Sequence, residues 1–266
     1  MLIEVLVIFA ALLIFSCQCQ YKNPYIYDNR SVIAQLMEWR HEDVAKECKF
    51  LAQNGFGAVQ VSPVHESKVD DTNSFHLRYQ PISYKVHSRS GDEEEFQAMI
   101  KECQKAKVRI YVDIVVNHMA NGKFEVFGTA KSTANPSTLD YPAVPYNYEH
   151  FNEECTINDP MSVFEIRNCR VDNLPDLNQA NEDVRDAIVG FLNKLIGFGV
   201  AGFRMDSVKN MWPADLAEIY SRLKDLNEEF DFPEKSRPFI YQEVIGKFFM
   251  PIKFLKLIKN PYRSRR

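Results

Sequence analysis

Short apolar segments of strand length alternate with amphipathic helical patterns along most of this chain, and this alternation constrains the fold more than any other feature. Because each strand-like run is followed by a helical pattern before the next run, the repeating unit is βα, which predicts a parallel sheet. The pattern is compatible with a closed barrel and with a doubly wound open sheet. The predicted strands are residues 31–39, 57–61, 108–116, 200–205 and 239–244.

Helical spacing and helix-ending residues locate the intervening helices. Residues 41–54 predict a helix that stops at Gly55, and a second helix begins around Asp92, with acidic residues in its first turn and lysines in its last. Two further helices follow from apolar residues at helical spacing. The apolar residues of the first helix are Val184, Ile188, Phe191, Leu192 and Leu195, and those of the second are Leu216, Ile219, Tyr220 and Leu223.

Two connections, residues 62–90 and 119–176, are too long for simple βα loops. Each leaves from the C-terminal end of a predicted strand, which is the face where a (β/α)8 barrel builds its active site. A connection of this length is typically a functional insertion or a small subdomain. We therefore expect both segments to help form a site.

The first twenty residues predict a cleaved secretory signal peptide, because their apolar stretch from Val5 to Phe15 is too short to cross a membrane. An uncleaved anchor is the alternative. Asn29 then lies in a glycosylation sequon of a secreted protein. Four cysteines remain, which indicates two disulfides with three possible connectivities, or else four buried thiols. They are Cys48, Cys103, Cys155 and Cys169.

The charge balance favours a neutral substrate. The formal net charge is -4 and the sequence pI is about 5.9, and no basic patch precedes the last residues, which argues against nucleic acid as a partner. The sequence also has no Gly-rich phosphate loop and no zinc-type Cys/His spacing, so neither nucleotide nor zinc chemistry is expected.

Arg204 and Asp206 lie two residues apart at the end of an apolar run that predicts a buried strand. Positions i and i+2 of a strand share a face, so the arginine lies beside the carboxylate and keeps it ionised. A second carboxylate, Glu243, ends a predicted strand about one βα unit later. Two carboxyl groups at strand ends are the minimum set for glycoside hydrolysis. A structural ion pair is the alternative interpretation of Arg204 and Asp206.

Three segments resemble the first three signature regions of the α-amylase family, glycoside hydrolase family 13, in matching order and spacing. They are residues 113–118 (DIVVNH), 202–210 (GFRMDSVKN) and 241–245 (YQEVI). The resemblance extends over roughly residues 21–245. The matching segments have the sequences typical of animal α-amylases and are similar to the mite amylases known as group 4 allergens. It implies an incomplete (β/α)8 barrel of five βα units with a long insertion after the third strand.

The resemblance also implies roles for individual residues. Asp206 would be the nucleophile and Glu243 the general acid and base of a retaining mechanism. Tyr79 and His118 would contact the sugar, with Asp113 supporting the site. Lys209 would contact the leaving part of the substrate, although a solvated lysine is the alternative. Where relatives stack sugars on tryptophans, this chain has Phe75 and His76, which predicts weaker subsite binding.

Calcium and chloride are the cofactors that the resemblance implies. Hard calcium prefers oxygen ligands, and the implied set is the Asn117 side chain, the Arg167 carbonyl, the Asp176 carboxylate and the Asn210 carbonyl. Asp176 has an alternative role as a helix N-terminal acid. Chloride would bind Arg204, with its remaining ligands beyond the residues matched. The implied disulfides are Cys48–Cys103 and Cys155–Cys169.

The family's fourth signature region, with a third catalytic carboxylate, is expected after Glu243, but residues 246–266 form a divergent basic tail. We therefore expect residues 21–118 to form the first part of the barrel, 119–176 a calcium-binding insertion and 177–245 the continued barrel. A partial barrel would leave strand edges exposed, which predicts aggregation. If the chain folds, we expect a monomer. The implied protein is a secreted α-amylase acting on starch, glycogen and malto-oligosaccharides, with little activity in this chain. The alternative is a non-catalytic fragment acting as a glycan binder or antigen.

Overall fold

A computed structural model describes residues 21–27 and 29–245 of the protein. The predicted signal peptide and basic tail lie outside the described residues. Within them, no helix combines the length and the apolar character that crossing a bilayer demands.

The centre of the molecule is a parallel sheet of five strands. Its strands are β1 (Val32–Leu36), β2 (Phe56–Val61), β5 (Arg109–Ile114), β8 (Gly202–Met205) and β9 (Phe239–Gln242). They are hydrogen-bonded in the order β1-β2-β5-β8-β9, which is their order along the chain. A doubly wound sheet reverses its strand order at a switch point, so the unreversed order is that of a barrel. The barrel prediction is confirmed, and each predicted strand overlaps its observed counterpart.

Helices cover the outer side of this sheet, and their termini follow from local chemistry. The helix Glu93–Lys105, α2, begins with a capping box, in which Asp92 accepts from the Glu95 N–H and the Glu95 side chain accepts from the Asp92 N–H. Its apolar face, like that of α1, points inward and is fully buried. The helices are α1 (His41–Gln53), α2 (Glu93–Lys105), α3 (Val163–Asn168), α4 (Glu182–Gly197) and α5 (Pro213–Ser221).

Both disulfides implied by the resemblance are confirmed. Cys48 on α1 is bonded to Cys103 on α2, and Cys155 to Cys169 within the insertion. The separations are 55 and 14 residues, so loop-closure entropy assigns them stabilisations of about 4 and about 3 kcal/mol. The first links neighbouring helices of the barrel, whereas the second holds a segment with little apolar core of its own.

A second, four-stranded sheet lies above the barrel. It has the order β4-β3-β6-β7, with β3 (His65–Val69) and β4 (Pro81–Val86) from the first long connection. The other two strands, β6 (Val126–Gly128) and β7 (Thr133–Ala134), come from the insertion. The sequence did not predict these strands because β3 buries polar side chains, and Glu66 there accepts hydrogen bonds from Ser83 and two backbone N–H groups of the insertion.

The insertion leaves and rejoins the barrel at one point. The Met119 N–H donates to the Pro175 carbonyl over 3.0 Å, and the Leu177 N–H donates to the Asn117 carbonyl over 2.9 Å. These bonds pair the end of the third barrel strand with the end of the insertion. Both segments are therefore fixed beside the C-terminal ends of the parallel strands.

Candidate active site

A cleft of about 590 Å³ opens at the C-terminal ends of β5, β8 and β9. Parallel strands direct the residues that follow them to this edge, so residues distant in sequence meet there. Most predicted substrate and catalytic residues line the cleft, and Asp113 lies beneath it. The lining residues used below are Phe75, His76, Tyr79, His118, Arg204, Asp206, Ser207, Lys209 and Glu243.

The Arg204 guanidinium holds three carboxylates together. One terminal nitrogen, Nη1, lies 2.6 Å from Asp113 Oδ1 and 2.9 Å from Asp206 Oδ1, and the other, Nη2, lies 2.9 Å from Glu243 Oε1. Burial on its own would lower the Arg204 pKa, but the three carboxylates outweigh this effect and raise it. The two predicted catalytic carboxylates are thus separated by the width of one guanidinium group.

Asp113 is the most deeply buried of the three acids, with 1% of its surface exposed. Burial raises its pKa to about 7, against the opposing effect of Arg204. Its second oxygen accepts a hydrogen bond of 2.9 Å from the Tyr79 hydroxyl. Asp113 therefore contacts two other site residues rather than the open cleft, and it fixes their orientation.

Asp206 and Glu243 differ in how their second oxygens are used. Among the described residues, Asp206 Oδ2 makes no hydrogen bond, which leaves it available to a molecule in the cleft. Glu243 Oε2 instead accepts a hydrogen bond of 2.9 Å from the Ser207 backbone N–H. Ser207 has a φ of 50°, in the left-handed region, so the turn after Asp206 directs this N–H toward Glu243.

The predicted sugar-contacting residues surround these carboxylates. His118 Nε2 donates to the Tyr79 carbonyl over 2.9 Å in the tautomer that this contact favours, and burial lowers the His118 pKa. Lys209 Nζ lies at the cleft but donates to the Ile245 carbonyl over 3.1 Å. Phe75 and His76 have ring centroids 3.9 Å apart at the rim and are exposed to solvent.

The residues predicted to bind calcium form two pairs. Asn117 Nδ2 lies 3.3 Å from Asp176 Oδ1, and both side chains are buried. Asn210 Nδ2 donates over 2.8 Å to the carbonyl of Ile166, next to Arg167. No hydrogen bond among the described residues joins one pair to the other.

The Asn117 and Asp176 pair fits a hard cation. Asn117 Oδ1 is buried and has no hydrogen-bond partner, an arrangement that folded proteins rarely leave uncompensated. Burial raises the Asp176 pKa to about 7, only partly opposed by amide donors from Asn152 and Asn117. A cation would satisfy the free oxygen and favour the ionised carboxylate. The described residues contain no cluster of three or more His, Cys, Asp or Glu, as expected where amide and carbonyl oxygens dominate the set.

Arg204 does not fit a chloride ion in the same way. Both of its terminal nitrogens are bound to carboxylates, so an anion there would meet three negative groups. Arg204 therefore binds carboxylates in this site. No step proposed below involves chloride.

The sequence predicted the pairing of Arg204 with Asp206 but not the whole cluster. Asp113 faces Arg204 through the register of β5 and β8, and Glu243 reaches it from β9. Register between distant strands has no local sequence signal, and neither does the left-handed Ser207. Sequence reasoning also missed Asp172 and Asn121 in the cleft wall, which belong to irregular segments.

A β/α barrel sheet with paired carboxylates at its C-terminal edge is the arrangement of a glycoside hydrolase. The sequence profile of the family described as alpha amylase, catalytic domain, matches residues 42–242. The chain therefore belongs to the α-amylase family, glycoside hydrolase family 13.

Its relatives include an α-amylase of Dermatophagoides pteronyssinus, 50% identical over 234 residues, which are 85% of this chain and 47% of that protein. An α-amylase-related protein of Drosophila ercepeae is 47% identical, over 86% of this chain and 47% of its own length. The crystal structure of α-amylase I from Eisenia fetida superposes with a TM-score of 0.83 at 40% identity, over 85% of this chain and 47% of that chain. The present chain thus spans about half the length of the relatives that it matches.

A mutant of the same Eisenia fetida enzyme, in complex with maltohexaose, superposes with a TM-score of 0.80 at 39% identity. The superposition covers 85% of this chain and 47% of the Eisenia fetida chain.

Proposed function

We propose that this chain is the nucleophile-bearing part of a secreted α-amylase, which hydrolyses internal α-1,4-glucosidic linkages in starch, glycogen and malto-oligosaccharides with retention of configuration. The observation that supports this most is the Arg204 cluster, which sets Asp206 and Glu243 side by side in an open cleft. Maltohexaose in the complex of a relative is the kind of substrate that such a cleft would accept.

In the proposed reaction, Asp206 Oδ2 attacks the anomeric carbon while Glu243 protonates the departing glycosidic oxygen. The C–O bond of the linkage breaks, and a glycosyl ester on Asp206 forms. Glu243 then removes a proton from water, whose oxygen attacks the same carbon and releases Asp206. Arg204 holds Asp206 in place through its contact of 2.9 Å with Oδ1, which leaves Oδ2 as the attacking oxygen.

Glu243 needs a change of partner before it acts as an acid. Its contacts with Arg204 and with the Ser207 N–H engage both of its carboxyl oxygens. A sugar between the two acids would separate Glu243 from Arg204 and free a carboxyl oxygen to face the glycosidic oxygen. The same contacts favour the second candidate function, a glycan-binding chain without turnover, if no sugar displaces them.

Calcium and the extracellular location complete the proposal. Asn117 and Asp176 would hold calcium together with the Arg167 and Asn210 carbonyls, and the ion would fix the insertion against the strand ends. Two disulfides fit an oxidising compartment, and the exposed Asn29 would be available for glycosylation. Chloride activation has no support in the Arg204 geometry.

The test is release of reducing ends from soluble starch by the purified chain, with the anomeric form of the first product followed by NMR. We expect a low rate with α-anomeric products, loss of that activity in Asp206→Asn and Glu243→Gln, and the parent rate in Asp186→Asn, a surface carboxylate on α4 that pairs with Arg222. No hydrolysis, combined with calorimetric binding of maltohexaose that persists in Asp206→Asn, would establish the glycan-binding alternative. Activity that survives Asp206→Asn would refute the assigned nucleophile.

A further inference from the structure

Arg167 is a buried cation that has no counterion within the part of the chain that the structure describes. Only 2% of its surface is exposed, yet among the described residues its side chain donates no hydrogen bond and has no carboxylate within 4.0 Å. Its guanidinium lies against the Trp212 ring, whose centroid is 4.9 Å from the guanidinium carbon. A cation–π contact offsets only part of the cost of taking an arginine out of water.

The other two buried arginines among the described residues each have polar acceptors, which makes Arg167 an exception. Arg78, 1% exposed, pairs with Glu38 and also donates to the Ser90 hydroxyl. Arg109, 6% exposed, donates to three backbone carbonyls. The fold therefore supplies acceptors wherever it buries these guanidinium groups, but supplies none to Arg167.

A small cavity adjoins the Arg167 side chain, under the inner face of α5. Its volume is about 20 Å³, enough for one water molecule or one monatomic ion. No acidic residue among those described lines it. The lining residues are Arg167, Val208, Pro213, Leu216, Ala217, Tyr220 and Gln242.

Two of the residues that line this cavity, Arg167 and Tyr220, carry hydrogen-bond donors without an acceptor among the described residues. The Tyr220 hydroxyl accepts a hydrogen bond of 3.4 Å from Gln242 Nε2 and donates to no described group, so its proton is free. The buried Arg167 cation and the free Tyr220 hydroxyl proton together make a positive, anion-seeking environment.

We propose that this cavity binds a single halide-sized monovalent anion, held by Arg167 and the Tyr220 hydroxyl. Sulfate and phosphate are too large for a space of one water molecule. The site is separate from Arg204, and it does not rest on the proposed glycosidase function.

Trp212 gives a direct readout of the anion. The chain has two tryptophans, Trp39 and Trp212, so Trp39→Phe leaves only the one that contacts Arg167. In this variant of the full chain, we expect bromide at constant ionic strength to quench the fluorescence of Trp212, and part of this quenching should saturate with bromide concentration. Added chloride should remove the saturable part by competition, whereas added sulfate should not. Arg167→Met should abolish that component. Arg170→Gln is the matched control, since Arg170 pairs with the exposed Glu154. This variant should retain the saturable component.

Crystals of the unaltered chain grown in bromide provide a test that needs no variant. We expect an anomalous peak in contact with the Arg167 guanidinium. Quenching that rises linearly with bromide and is unchanged by Arg167→Met would overturn the proposal, as would the absence of that peak at bromide concentrations well above the quenching midpoint. In either case Arg167 would be stabilised by Trp212 and water alone.

Discussion

At the scale of the residue, Arg204 is the group on which the site depends. It lies between Asp113, which is almost completely buried, and the two carboxylates that face the cleft. Three acids so close together would repel one another without the intervening cation. Removing one partner of a buried ionic cluster is costly because the remaining charges have neither water nor a counterion.

Arg204→Gln should therefore destabilise the protein by about 3–5 kcal/mol, measured as the free energy of unfolding in urea. Arg222 is the matched control, because it also contacts three carboxylates but lies at the surface, so Arg222→Gln should cost much less. Adding Asp113→Asn to Arg204→Gln should recover part of the loss. Equal losses for the two arginine variants would contradict this account.

His41 gives a prediction about pH. Its ring is buried against Phe96, neither ring nitrogen has a hydrogen-bond partner, and burial, with the nearby Arg78 charge, lowers its pKa to about 4. The unfolded chain protonates this histidine near pH 6.5, so unfolding takes up a proton and stability is lost as the pH falls from about 6.5 toward 4. The lost contribution is at most about 3 kcal/mol.

His41→Gln removes the titrating group, so the variant should lose less stability than the parent protein between pH 6.5 and 4. Comparing the two proteins cancels the opposing contributions of Asp113 and Asp176, whose pKa values are raised. Urea unfolding at several pH values measures the difference. His76→Gln, at an exposed position, should leave the pH dependence unchanged. Parallel curves for His41→Gln and the parent would show that His41 is not the acid-sensitive group.

At the scale of the element, the sequence predicted what repeats locally and missed what depends on distant partners. The five parallel strands followed from apolar runs, and α2 followed from its acidic first turn and apolar spacing. The β3–β4 hairpin had no such signal, because His65, Glu66 and Ser67 are polar and become buried only against other segments. The grouping of carboxylates at Arg204 likewise required the register between β5, β8 and β9.

The insertion is the element whose order should depend on calcium. Its own core is small, and it is held to the barrel by the hydrogen bonds at Met119 and Leu177 and by the contacts of Asp176. We expect chelation with EGTA to speed proteolytic cleavage within residues 119–176, and added calcium to reverse the effect. The Asp176→Asn variant should be cleaved at the faster rate with or without chelator.

Asp159→Asn is the control for that experiment, because Asp159 is an exposed carboxylate in the same insertion. It should respond to chelation as the parent protein does. Cleavage rates that do not change on chelation in the parent would count against the proposed calcium site while leaving the catalytic assignment untouched.

At the scale of the whole molecule, the N-terminal segment connects strands across the end of the sheet opposite the cleft. The Tyr21 carbonyl accepts from the Ile240 N–H on β9, and the Tyr25 carbonyl accepts from Arg109 at the start of β5. Ile26 packs closely against Gly57 in β2, where any larger side chain would collide with it. The segment thus covers part of the outer edge of β9, but the outer edge of β1 has no strand beside it among the described residues.

The edge of β1 should therefore be the surface through which copies of this chain associate, since an unpaired strand edge pairs readily with another chain. We expect light scattering after gel filtration to give a mass that rises with concentration. Val32→Lys places a charge on the exposed start of β1 and should shift this rise to several-fold higher concentration. Val69→Lys is the matched control, because Val69 is similarly exposed but lies on β3 of the other sheet. A mass that stays monomeric at all concentrations, or one that Val69→Lys lowers as much as Val32→Lys, would rule out β1 as the associating edge.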